Sequence, residues 1–124
     1  MEIKDIMKPA EVIEGRSPLS EAARKIVKKN IGSLIVMDKG VMKGIVTKED
    51  LLKHFGKDIS VDEIMTKKII SLTVEDGVDK AREILKNNRI NVIPIIEGDK
   101  LAGIVTGREI IKNYCEPGDE FLLS

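Results

Sequence analysis

The sequence predicts an α+β fold built from two tandem β-α-β-β-α repeats. Three observations predict it: the chain repeats itself, its apolar residues alternate between helical spacing and short strand-like runs, and turn signals fall at matching places in both halves. Ile6-Met7 returns as Ile64-Met65, Ala23-Arg24-Lys25-Ile26 as Ala81-Arg82-Glu83-Ile84, Asn30 as Asn88, and Gly44-Ile45-Val46-Thr47 as Gly103-Ile104-Val105-Thr106. The offset is 58 residues up to Asn88 (65 − 7) and 59 beyond it (103 − 44), which places one extra residue in the turn at Gly98-Asp99-Lys100. The duplication takes up nearly all of the 124 residues, so function is expected in what the two copies build together. Expected boundaries are 1–56 for the first repeat, 57–115 for the second and 116–124 for a loose tail with an apolar Phe121-Leu122-Leu123 end.

Each repeat opens with a short apolar segment, Ala10-Glu11-Val12-Ile13 and Lys68-Ile69-Ile70-Ser71-Leu72. A helix follows. In the first copy Ser17 is a good N-cap and Pro18 suits the first helical position. Leu19, Ala22, Ala23, Ile26 and Val27 then form one apolar stripe at helical spacing. In the second, Glu75-Asp76-Gly77 starts a helix whose apolar face is Val78, Ala81, Ile84 and Leu85, and the acidic residues suit the positive end of its dipole.

Two strands come next. Ser33–Asp38 and Val92–Glu97 are nearly continuous apolar runs, as buried strands require. Turns at Lys39-Gly40 and Gly98-Asp99-Lys100 lead to Lys43-Gly44-Ile45-Val46 and Leu101-Ala102-Gly103-Ile104-Val105. Pro94 cannot donate to a ladder, so its strand is expected at a sheet edge or bulge. A last helix begins at Thr47 or Thr106, with Leu51, Leu52 and Phe55, or Ile110, Ile111 and Tyr114, expected to face inward.

Composition narrows the function. Lys+Arg and Asp+Glu both number 21, which argues against a nucleic-acid protein driven by bulk charge. With no Trp, the core must be made of Ile, Val, Leu and Met; a single repeat would be marginal, so the copies are expected to pack together. No segment is long and apolar enough to span a bilayer and none reads as a secretion signal, so a cytoplasmic protein is expected. The single Cys115 allows neither an intrachain disulfide nor a zinc cluster, and no metal site is expected.

The ordered set of an Ile-Met opening, an apolar strand pair and Gly-Ile-Val-Thr followed by an acidic residue, occurring twice, resembles the cystathionine-β-synthase (CBS) domain, as a tandem pair covering about Ile3 to Tyr114. The resemblance implies two repeats packed through their sheets about a pseudo-twofold axis, with two clefts that take adenosine-containing ligands: AMP, ADP, ATP, S-adenosylmethionine or methylthioadenosine. It also implies a regulatory module that signals to an effector protein, a homodimer or higher homo-oligomer, and no enzymatic activity. The family's ligand motif, Gly-φ-x-Thr/Ser-x-x-Asp, reads Gly44 to Asp50 in the first copy and Gly103 to Glu109 in the second. A carboxylate there can accept from both hydroxyls of a ribose diol, while a threonine hydroxyl and free helix N–H groups can take a phosphate.

By resemblance the first cleft combines Ile45, Thr47 and Asp50 with Thr66, Ile70, Ile90, Asn91 and Pro94, and Arg108 faces the phosphates. The second combines Ile104, Thr106 and Glu109 with Lys8, Ile13 and Ser33. It departs from the pattern, because Glu109 stands for Asp and Glu49 for a basic residue, making it the poorer phosphate site.

Plainer readings stand beside these. Thr-x-x-Asp/Glu at a helix start is also a capping box, with Glu the better partner and Asp the one that reaches back less well. Arg108 reads equally as a solvated first-turn residue, Asn91 and Ser33 as local backbone partners, and His54 as a helix C-terminal cap. Cys115 reads as a plain half-buried thiol. Arg24, Lys25, Lys28 and Lys29 read as the wet face of the first helix. A scaffold with empty clefts and a nucleic-acid-associated regulator are the alternative functions.

Overall fold

The computed structural model describes residues 1–113, Gly118, Phe121 and Leu122. Among these residues the fold is α+β, with two three-stranded sheets and four helices. The chain divides into two compact units: 11–69 form one, and 1–10 together with 70–124 form the other. Sequence repeats and compact units are therefore offset, because the segment that opens each copy packs into the unit built mainly from the other copy.

The unit of residues 11–69 holds β1 (Val12–Glu14), α1 (Leu19–Lys29), β2 (Ser33–Asp38), β3 (Val41–Thr47), α2 (Lys48–Lys53) and a 3-10 turn at Val61–Glu63. β1 pairs parallel with β2, and β2 antiparallel with β3 across the tight turn Lys39-Gly40. Leu34, Val36 and Val46 from the sheet, Ala22 and Ile26 from α1, and Val61 from the 3-10 turn close a dry core.

The other unit repeats the plan with a 3-10 turn at Ile3–Asp5, β4 (Leu72–Thr73), α3 (Val78–Asn88), β5 (Val92–Glu97), β6 (Lys100–Thr106) and α4 (Gly107–Asn113). Ile3, fully buried among Val78, Ala81, Ile93 and Val105, takes the place that Val61 holds in the first core.

Register relocates the extra residue of the second copy. Ile13 pairs with Val36, and Leu72 with Ile95; α1 starts at Leu19 and α3 at Val78; left-handed residues end these helices at Asn30 and Arg89. Each of these pairs differs by 59 (72 − 13, 78 − 19, 89 − 30), whereas the opening turns differ by 58 (61 − 3). The insertion thus lies in 67–71, before β4, and the turns Lys39-Gly40 and Gly98-Asp99 are equal in length. The apparent matches of Ala23 with Ala81 and Asn30 with Asn88 are one residue out of structural register.

Pro94 shares this origin. It sits in the middle of the central strand β5 and not at a sheet edge, while the other expectation, a bulge, is met one residue on, where the β5–β6 register shifts between Ile95 and Ile96. Its counterpart Ile35 donates its N–H to Glu11 O at 2.9 Å, on the β1 side of the sheet. Pro94 has no N–H to give, and β4 is correspondingly shorter, pairing only from Leu72 onward. The strand tolerates proline because the missing bond falls where its neighbour has already left the ladder.

Three further expectations are corrected. Ser17 makes no cap bond: Pro18 occupies the N-cap with extended backbone, and the orphan Leu19 N–H is taken by Ile59 O at 3.1 Å. On α2 Leu51 is buried, but Leu52, Phe55 just beyond the end of the helix, and Val27 on α1 point into solvent. The tail is not loose throughout, since Leu122 is buried in the core and Phe121 packs against it. Tyr114 and Cys115 lie outside the described residues.

Candidate polar junctions at the strand-to-helix turns

β3 ends and α2 begins at Thr47, whose extended backbone (φ −112°, ψ 169°) aims its side chain back over the first helical turn. Asp50 Oδ2 accepts from Thr47 N at 2.9 Å and from Thr47 Oγ1 at 3.1 Å, and Asp50 N donates to Thr47 Oγ1 at 3.3 Å. The capping box therefore closes with aspartate, shorter arm notwithstanding. Oδ1 makes no protein hydrogen bond and no cation pairs with this carboxylate, among the described residues. Asp50 remains half-buried.

The counterpart in the other unit is closed. Glu109 Oε1 accepts from Thr106 N and from Thr106 Oγ1, both at 2.7 Å, and Arg108 N donates to Thr106 Oγ1 at 3.2 Å. Oε2 faces Lys8 Nζ at 3.3 Å. Glu109 is the one buried charged residue among those described, and both of its oxygens are committed within the protein. The longer arm is what lets one carboxylate cap the helix and reach the lysine.

The glycines of the motif have a backbone reason. A Cβ on Gly103 would lie 2.6 Å from Lys8 O, and one on Gly44 would lie 2.8 Å from Thr66 O. There the opening segments pair with the sheets: Lys8 N donates to Ile104 O and Ile104 N to Lys8 O, at 3.0 and 2.9 Å. Ile45 and Thr66 exchange the same two bonds at 3.0 and 2.8 Å. Each junction is thus flanked by a segment brought from the far end of its own unit.

The structure accordingly brings Ile45, Thr47, Asp50 and Thr66 together in one unit, and Lys8, Ile104, Thr106 and Glu109 in the other. Ser33 lies opposite Thr47 in the β2–β3 ladder, and Ile13 is a core residue of the same unit. Pro94, buried, pairs with Ile104; Ile70 and Ile90 are half-buried, and Asn91 and Arg108 are exposed. The Lys8–Glu109 ion pair is the contact that sequence reasoning missed as such. Lys8 and Thr66 are equivalent positions (66 − 8 is 58), so the cation at one junction is a neutral side chain at the other. Among the described residues no three His, Cys, Asp or Glu side chains converge where they could hold a metal ion, and no helix is long and apolar enough to cross a membrane.

Two β-α-β-β-α repeats, each with a hydroxyl and a carboxylate at the start of its last helix, define a tandem-repeat module with a polar junction in each unit. The CBS domain family model matches residues 3–57 and 61–116, and the chain belongs to the CBS domain family. The fold is similar to the crystal structure of the CBS domain pair of protein MJ0100 in complex with 5′-methylthioadenosine and S-adenosyl-L-methionine, with TM-score 0.84 and 28% identity over 90% of this chain and 94% of that one. An uncharacterized 17.7 kDa protein of Acidianus ambivalens is 33% identical over 106 residues, 82% of this chain and 65% of that protein. The inosine-5′-monophosphate dehydrogenase of Thermoplasma acidophilum is 32% identical over 113 residues, 90% of this chain but only 23% of the enzyme.

Proposed function

We propose that this chain is a regulatory module that binds an adenosine-containing ligand at the junction of Thr47 and Asp50. The observation that carries the reading is the contrast between the two carboxylates. Asp50 keeps one oxygen and its full charge uncommitted, whereas Glu109 spends one oxygen on its cap and the other on Lys8. A ribose cis-diol is a matched pair of donors for such a carboxylate. One hydroxyl takes Oδ1, and the second takes a lone pair on Oδ2 that the Thr47 hydroxyl releases by rotating toward the ligand. Ile70, Ile90, Asn91, Pro94 and Arg108 are proposed as further ligand-binding residues. Lys8, Ile13, Ser33, Ile104, Thr106 and Glu109 remain a second, poorer set.

The likeness to the MJ0100 pair, which was crystallised with 5′-methylthioadenosine and S-adenosyl-L-methionine, supports adenosine compounds as the ligand class and puts those two first. We read the role as regulatory, with output through an effector protein or through self-association. Ligand contact at Asp50 and Thr47 would rearrange the cap of α2, and so couple occupancy to that helix.

Calorimetric titration of 5′-methylthioadenosine, S-adenosylmethionine, AMP, ADP and ATP tests the reading. Saturable binding of at least one is expected. Absence of binding to all five, confirmed by an unshifted melting temperature, would leave a scaffold role with an empty junction.

A further inference from the structure

The Glu109 junction carries a lysine that the Asp50 junction does not. Lys8 and Thr66 hold equivalent positions, and each exchanges two backbone hydrogen bonds with the isoleucine of its motif, Ile104 or Ile45. The Lys8 backbone lies so close to β6 that a Cβ on Gly103 would stand 2.6 Å from Lys8 O. Its side chain therefore starts from a fixed point, and Nζ reaches Glu109 Oε2 at 3.3 Å. Thr66, in the same place, brings Asp50 no cation.

Burial sets this ion pair apart. The Glu109 side chain is 10% exposed, against 45, 33 and 22% for Glu2, Glu11 and Asp76 in their pairs with Lys4, Lys29 and Lys80. An exposed pair exchanges for water at little cost, whereas a buried carboxylate that loses its cation keeps a charge that water reaches poorly. The Lys8 side chain is 38% exposed, so the ammonium is the half that can leave.

A ribose diol at Glu109 has to take Oε2 away from Lys8. A hydroxyl offers a neutral donor in place of an ammonium, so the exchange leaves the buried charge uncompensated. A ligand phosphate would draw the ammonium off, but it sets a negative charge beside the carboxylate that must hold the diol. At Asp50 neither obstacle stands, because Oδ1 makes no protein hydrogen bond among the described residues.

We infer that Lys8 is an internal competitor that closes the Glu109 junction, so that each chain takes one adenosine-containing ligand, at Asp50, and not two. The inference rests on the reading of Asp50 as the ligand's anchor. The residue that follows Ile-Met decides whether a junction is open: threonine after Ile64-Met65, lysine after Ile6-Met7. A chain with one working junction responds to ligand hyperbolically, without coupling between two sites on the same chain.

The test is calorimetric titration of 5′-methylthioadenosine into the wild-type chain and into Lys8→Thr/Glu109→Asp, which copies the Thr66 and Asp50 arrangement into the closed junction. Lys8→Thr alone leaves the Glu109 cap intact and replaces the double variant if melting curves show the latter unfolded. One ligand per wild-type chain is expected and two per variant chain, with the second site surviving when Asp50→Asn is added. Two ligands per wild-type chain, or still one in the folded variant, overturns the inference and leaves the Asp50 reading standing. Binding that appears only in the variant removes the Asp50 reading and keeps Lys8 as the barrier. No binding to any of these proteins removes both.

Discussion

Lys8 Nζ stands 3.3 Å from Glu109 Oε2, tying the segment before β1 to the first turn of the last helix. The pair is not a surface ornament, because Glu109 is 8% exposed and its other oxygen is already used by Thr106. Lys8→Ala should therefore lower the unfolding free energy by roughly 1–3 kcal/mol, the cost of a buried acceptor deprived of a partner. The double variant Lys8→Met/Glu109→Gln should recover part of that loss. Urea unfolding curves of the three proteins measure both effects.

Gly103 and Gly44 should tolerate no side chain. The clash at Gly103 is with the Lys8 backbone carbonyl, which cannot swing away. At Gly44 a Cβ would also meet the Met65 thioether at 2.7 Å, a softer neighbour, but Thr66 O remains in the way. Each Gly→Ala variant should lose about 1–3 kcal/mol, with Gly103→Ala at least as damaging. Thermal melts by circular dichroism decide the order.

α2 offers an internal control for its two faces. Leu51→Ala opens a hole in the core and should cost about 2–5 kcal/mol. Leu52→Ala and Phe55→Ala, in solvent, should stay within about 0.5 kcal/mol of wild type. Equal losses at Leu51 and Phe55 in urea melts would contradict the outward placement of Phe55.

The Thr73 backbone N–H, 2.8 Å away, holds the Asp76 carboxyl below the usual carboxylate range; partial burial opposes this, and Lys80 and the Thr73 hydroxyl add to the lowering. A pKa lower in the folded state makes its contribution fully present above the unfolded value of about 3.9 and lost as pH falls through the folded value. The stability difference between wild type and Asp76→Asn should therefore be largest near neutrality and shrink below about pH 4. Urea midpoints compared at neutral and acid pH test this; a difference independent of pH would contradict it.

Much of the fold was legible because local periodicity and global fold agree. β2, β5, the helices and the hairpin turns follow directly from apolar runs and glycines. What misled was identity without register. Ala81-Arg82 resembles Ala23-Arg24 letter by letter, yet α3 buries Ala81 in the place of Ala22, because helix phase is set by the core and not by the match. Hydrophobicity alone points Leu52 and Phe55 inward, but α2 is six residues long and presents only Leu51 to the core. Pro94 is accommodated in the central strand beside the register shift at Ile95/Ile96, where the neighbouring strand is too short to need its N–H.

The junction was legible in part. Thr47, Asp50, Thr106 and Glu109 stand out through the resemblance to the CBS ligand motif, and the same spacing of a hydroxyl and an acid at a helix start also marks a capping box. Nothing local in the sequence pairs Lys8 with Glu109; that contact exists because the opening segment joins the unit formed by 70–124. Thr66 beside Ile45 follows from the same exchange.

The most direct test of the account is calorimetric titration of 5′-methylthioadenosine and S-adenosylmethionine into wild type, Asp50→Asn and Glu109→Gln. Asparagine at 50 keeps an acceptor for the Thr47 cap but loses the charged, two-oxygen acceptor for a diol. Loss of one charge-assisted hydrogen bond, about 1.5–3 kcal/mol, predicts affinity reduced by about tenfold or more in Asp50→Asn, with melting little changed and Glu109→Gln binding as wild type does. Undiminished binding in Asp50→Asn, or binding lost only in Glu109→Gln, would contradict the assignment of the open carboxylate as the ligand's anchor.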